Sequence, residues 1–107
     1  MKPILKGIVA SKGRVEGEVF VISSSADLKK FKKGSILVAE ITNPLFVPAM
    51  SQSIGIITDI GGLTSHPAII SRELGIPCIV GTKEATKKIK TGQKIILDAV
   101  KGKIYAK

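Results

Sequence analysis

The chain has 107 residues, 44% of them apolar and 4% aromatic, with no tryptophan. That length fits one domain spanning residues 1–107, and that apolar share supports a core of Ile, Val, Leu and Ala, which excludes a disordered segment. A lone cysteine, Cys78, excludes a disulfide-stapled scaffold. No apolar run approaches the roughly 20 residues that cross a bilayer, so no membrane association is expected. Met1 leads into Lys2 and Pro3 without the apolar stretch of a signal peptide, so a cytoplasmic protein is expected.

The formal charge of +9, from 17 basic and 8 acidic residues, raises nucleic-acid binding as a reading. The basic residues gather loosely at Lys29, Lys30, Lys32 and Lys33, and again at Lys83, Lys87, Lys88 and Lys90. Arg14 and Arg72 are the only arginines, and aromatic stacking platforms are nearly absent. A solvated lysine-rich surface is therefore favoured over a nucleic-acid interface, although its field would attract phosphorylated ligands or an acidic partner.

In chain order, residues 4–10 read as a strand, followed by punctuation at Gly13 and Gly17. Residues 18–22 alternate polar and apolar, as in a half-buried strand. A short helical turn is predicted over 27–31, a compact apolar strand over 36–39, and a brief helix over 46–51 after the Asn43-Pro44 turn. Residues 54–58 form a continuous apolar strand suited to burial on both faces. A loop with a glycine pair follows, Asp59 to Ser65, and then a helix over about 67–74 stopped by Gly75 and Pro77. Residues 78–80 give another buried strand, 84–89 a second helix, and 93–97 with 103–105 the closing strands. The class is α/β with mixed strands.

The strand, Gly-Gly loop, Thr-Ser-His and helix form the informative unit. Pro67 suits a first helical turn, where its missing N–H would be unpaired anyway, so His66 falls at or beside the N-cap. Gly61 and Gly62 permit backbone angles closed to other residues and a close approach by a ligand. Free N–H groups and the positive end of a helix receive a phosphoryl group well. Thr64 and Ser65 add hydroxyls that can cap the helix or bind phosphoryl oxygens. His66, the only histidine, offers a nucleophilic nitrogen near neutral pH without an adjacent base. Read from the residues alone, it is either that nucleophile or a cap histidine with no chemistry. Arg72, six positions on, falls on another side of the helix and is expected to be structural, paired with an acidic neighbour. Asp59 either orients the loop or is a solvated turn residue.

Residues 61–81, GGLTSHPAIISRELGIPCIVG, resemble the signature of the mobile domain of phosphoenolpyruvate-utilising enzymes, which include phosphoenolpyruvate synthase, pyruvate phosphate dikinase, enzyme I and rifampicin phosphotransferase. Residues 7–13, 34–39, 42–50 and 92–105 resemble the rest of that domain, with Lys12 where many relatives have Pro and Pro67 where most have Ala. The resemblance implies a swivelling β/β/α domain with mixed sheets, its histidine on a loop at a helix N-terminus. It implies that His66 is phosphorylated on Nε2 between two partial reactions, and that Gly61, Gly62, Thr64 and Ser65 support the phosphoryl site. Thr64 matches the threonine that a regulatory kinase and phosphorylase act on in synthases and dikinases. The domain itself would bind no cofactor and no metal. Magnesium and ATP or phosphoenolpyruvate are expected on partners, a nucleotide-binding (ATP-grasp-like) domain and a phosphoenolpyruvate/pyruvate-binding barrel. The rival readings are a non-catalytic regulatory or interaction module of the same fold and, less favoured, a small basic nucleic-acid binder.

Overall fold

Gly7 divides the first strand expected from the sequence. In the computed structural model, which describes all of residues 1–107, the segment forms β1 (Leu5–Lys6) and β2 (Ile8–Ser11). The remaining elements are β3 (Arg14–Ile22), α1 (Ser25–Lys30), β4 (Ile36–Ala39), a 3-10 turn (Pro44–Phe46), α2 (Val47–Gln52), β5 (Gly55–Thr58), α3 (His66–Leu74), β6 (Cys78–Val80), α4 (Ala85–Lys88), β7 (Lys94–Asp98) and β8 (Lys103–Ala106). The eight strands lie in the order β1-β8-β7-β3-β4-β5-β6-β2. The two end strands are neighbours in sequence, so the sheet curls almost to closure. A Cβ at Gly7 would sit 2.6 Å from both Val80 O and Ile79 Cγ2, so only glycine lets the chain pass between the two edges.

β3 is longer than the alternation predicted, because Gly17 does not interrupt it. A Cβ there would lie 2.9 Å from Ile54 Cδ1, so the glycine makes room for an isoleucine instead of turning the chain. The first half of β3 pairs antiparallel with β7 and the second half pairs parallel with β4. From β3 onward, β4, β5 and β6 continue in parallel, joined by α1, by the 3-10 turn with α2, and by α3.

Strand residues alternate between two cores, which is why β4, β5 and β6 read as unbroken apolar runs. Leu37, Ala39, Ile56, Cys78 and Val80 pack with Met50 of α2 and Ala68 of α3. Ile36, Val38, Ile57 and Ile79 face inward with Ile95, Leu97, Ile104 and Ile89. Each fully buried Leu or Ile contributes roughly 1.5–3 kcal/mol of transfer free energy. Cys78 is a small core residue, and burial pushes its thiol up to about 11, so it stays protonated and inert. Four of the eight clustered lysines have a local setting. Lys29 and Lys30 close the last turn of α1, and Lys87 and Lys88 that of α4, where the negative ends of the helices favour cations. No helix is long and apolar enough to cross a membrane.

Candidate functional site

The C-terminal ends of the parallel strands β4, β5 and β6 lie side by side, the position where ligands bind open α/β sheets. Asp59 begins the β5–α3 loop and is buried. Its N–H donates to Ala39 O (3.1 Å), and its carbonyl accepts from Lys83 N (2.9 Å). Its carboxylate accepts from the backbone N–H of Thr86 at 2.9 Å and from the Thr86 hydroxyl. Of the two readings left open for Asp59, the structure selects the one in which it orients the loop, by tying it to the start of α4.

The two glycines do different work. Gly61 has φ +128°, and a Cβ there would approach Ser65 Oγ to 2.7 Å, so no other residue fits without rearrangement. Gly62 does not have a positive φ, and a Cβ there would meet nothing within 4 Å. The expectation that both glycines supply backbone angles closed to other residues is therefore corrected for Gly62, which leaves open space above the loop. Ser65 is the N-cap of α3, yet its hydroxyl donates to Gly62 O (2.7 Å) and makes no capping bond. Its role is to close the loop. Thr64 is exposed beside it.

The helix begins one residue earlier than the sequence suggested, so His66 is its first residue and Pro67 its second. The His66 ring is half-buried, and its Nδ1 lies 2.6 Å from Thr42 Oγ1 in a hydrogen bond that either partner can donate. Nε2 has no protein partner. The backbone N–H groups of Gly61, Gly62, Leu63 and Thr64 likewise donate to no protein acceptor. Four successive free N–H groups thus lie in the loop that leads into a nine-residue helix, whose first residue carries an imidazole nitrogen with a free edge. This is the arrangement that receives an anion.

Arg72 departs from its expected pairing with an acidic neighbour. It instead donates through Nη2 to Leu63 O (2.7 Å) and through Nη1 to Ala10 O (3.2 Å). Both acceptors are backbone carbonyls, which the planar fork of a guanidinium can engage together.

Residues 31–102 match the family model described as PEP-utilising enzyme, mobile domain. The chain belongs to that family. Among its relatives, phosphoenolpyruvate synthase of Pyrococcus furiosus is 56% identical over 102 residues, which is 95% of this chain and 12% of that protein. Phosphoenolpyruvate synthase of Aeropyrum pernix is 44% identical over 104 residues, 96% of this chain and 13% of its own length. The mobile domain described here therefore spans about an eighth of the curated relatives that it matches. A solution structure of an Enzyme I protein aligns with a TM-score of 0.62 and 31% identity over 74% of this chain and 33% of that one. Aconitase X of Thermococcus kodakaraensis shares the fold, with a TM-score of 0.72 at 21% identity over 96% of this chain and 97% of that one. The swivelling β/β/α class expected from the sequence is thus the one observed.

One residue of this mobile-domain site escaped the sequence reading. Thr42 lies in the segment 42–50 that resembles the family, but no local pattern joins it to a histidine 24 positions later. The available signal was a threonine just beyond a buried strand, at the sheet end where ligands collect.

Proposed function

We propose that this chain carries a phosphoryl group on His66 Nε2 between two active sites located on other domains. The observation that carries the reading is the pairing of His66 Nδ1 with Thr42 Oγ1, which leaves Nε2 unpartnered just after a loop with four free N–H groups. With its proton on Nδ1, the ring donates to Thr42 and keeps the Nε2 lone pair for attack. The Nε2–P bond forms as the P–O bond of the donor breaks, and that bond's electron pair leaves on the donor oxygen. The positive charge this places on the ring is offset by the phosphoryl oxygens, which the free N–H groups and the helix start favour. In the second step an acceptor oxygen attacks phosphorus, and the N–P electron pair returns to Nε2.

Gly61 and Ser65 shape the loop in this reading, Gly62 leaves room for the phosphoryl group, and Thr64 offers a hydroxyl at its rim and the regulatory phosphosite. The chain has no group of three or more His, Cys, Asp or Glu side chains that could hold a metal. In this reading magnesium, with ATP or phosphoenolpyruvate, is bound by a nucleotide-binding domain and a phosphoenolpyruvate/pyruvate-binding barrel, in trans or in the same protein. Residues 1–107 act as one carrier domain, in the cytoplasm where those metabolites are made. The relatives named phosphoenolpyruvate synthase support this class of chemistry.

The test is to mix the chain with the remaining domains of the Pyrococcus furiosus synthase and radiolabelled phosphoenolpyruvate. An acid-labile label is expected on the wild-type chain and none on His66→Ala. Label that persists in His66→Ala would move the chemistry to another residue.

A further inference from the structure

We infer that Arg72 is a positioning residue for phosphoryl transfer, acting through the Leu63–Thr64 peptide, a role that rests on the carrier reading above. The β5–α3 loop is anchored at its start, where Asp59 and Ile60 donate to Ala39 O and Glu40 O. Beyond Ile60, the two bonds from Ser65 to Gly62 O close the loop on itself without tying it to any other element. The bond from Arg72 Nη2 to Leu63 O is the one hydrogen bond between residues 61–64 and another secondary-structure element.

That bond does more than hold the loop down. The carbonyl of Leu63 and the N–H of Thr64 belong to one planar trans peptide, so they point in opposite directions. Fixing the oxygen toward Arg72 fixes the direction of the Thr64 N–H on the other side, and the guanidinium charge polarises the same amide toward donation. Nη1 is held at the same time by Ala10 O of β2. The guanidinium is thus braced against the sheet as well as carried by α3, the helix whose first residue is His66. The loop's N–H groups are thereby referenced to the histidine through one short helix. A lysine could satisfy one carbonyl but could not reproduce the planar fork that spans two.

The test compares wild type with Arg72→Lys and Arg72→Gln, with the Pyrococcus furiosus synthase domains and radiolabelled phosphoenolpyruvate as above. Three quantities are read: the maximal rate of His66 labelling, the carrier concentration that gives half that rate, and amide hydrogen exchange at Leu63 and Thr64. Both variants are expected to label about tenfold more slowly, because a donor out of place by a fraction of an ångström weakens transition-state binding. Half-saturation should stay within about twofold, and exchange should quicken at residues 63 and 64 but not in β4 or β5. Wild-type rates in either variant would overturn the role, as would slower labelling with unchanged exchange. Failure of the wild-type chain itself to take label would defeat the carrier reading instead, and the exchange data would then report only that Arg72 orders the loop.

Discussion

The imidazole of His66 is held by a residue on a different strand connection: Thr42 Oγ1, just past the end of β4, lies 2.6 Å from Nδ1. Thr42 is itself buried, so water cannot readily replace it. Thr42→Val keeps the shape and removes the hydrogen bond, leaving Nδ1 without its protein partner at a cost of about 1–3 kcal/mol. Labelling of His66 should slow by about ten- to a hundredfold as the ring loses its fixed orientation. Nitrogen NMR of the ring should also show a changed balance of the two tautomers. Unaltered labelling and an unaltered tautomer balance would remove Thr42 from the site.

Gly61 and Gly62 should respond differently to the same substitution. Gly61→Ala places a Cβ against Ser65 Oγ in a left-handed backbone conformation and should cost about 1–3 kcal/mol. Gly62→Ala meets open space and should change stability by less than about 0.5 kcal/mol. Urea unfolding of both variants decides the matter. Equal losses would mean that the loop adjusts around either position.

Thr64 is exposed, so Thr64→Val should unfold at the wild-type urea concentration. Its labelling should nevertheless fall by about tenfold, because a hydroxyl is lost near the developing charge. Thr64→Glu should label more slowly still, since a fixed negative charge then opposes the incoming phosphoryl group. Identical kinetics in both variants would leave Thr64 without a part in transfer.

Asp98, at the end of β7, accepts from the N–H groups of Val100 (3.0 Å) and Lys101 (3.2 Å) through one carboxylate oxygen. Those two backbone bonds hold its carboxyl below the usual value, with Lys101 and Arg14 adding to the effect. A depressed carboxyl contributes stability that is complete above the ordinary value of about 3.9 and is lost as pH falls through the folded-state value. Asp98→Asn keeps an acceptor oxygen and loses only the charge. Its melting temperature should lie below wild type at pH 7, and the gap should close as the medium is acidified below pH ~4. A gap that stays constant down to pH ~2 would show that geometry and not charge governs this turn.

The sequence made the site legible because the site is local. An apolar strand, two glycines and a proline within fourteen positions determine where His66 falls, from Gly55 to Ala68, and none of that needs tertiary contacts. The site's long-range contacts were hidden because folding brings them from elsewhere: Thr42 from the preceding strand connection to the His66 ring, Ala10 from the edge strand to Arg72. Gly17 misled for a related reason. Glycine in a strand pattern reads as a break, whereas here its missing side chain is filled by Ile54, a neighbour only in three dimensions. The division of residues 4–10 at Gly7 was equally out of reach, since it depends on closure of a sheet whose other edge lies about seventy residues downstream.

That closure sets the smallest piece of chain that can stand alone. The family match begins at residue 31, but a fragment starting there would lack β1, β2 and β3. Removing β3 would split the sheet between β7 and β4, and removing β1 and β2 would bare β8 and β6. Four strands would then expose unpaired N–H and C=O groups, several of them flanked by isoleucine and valine, and such edges pair with other chains. Anyone transplanting this domain into another protein should therefore move the N-terminal strands with it, since they cover those four edges.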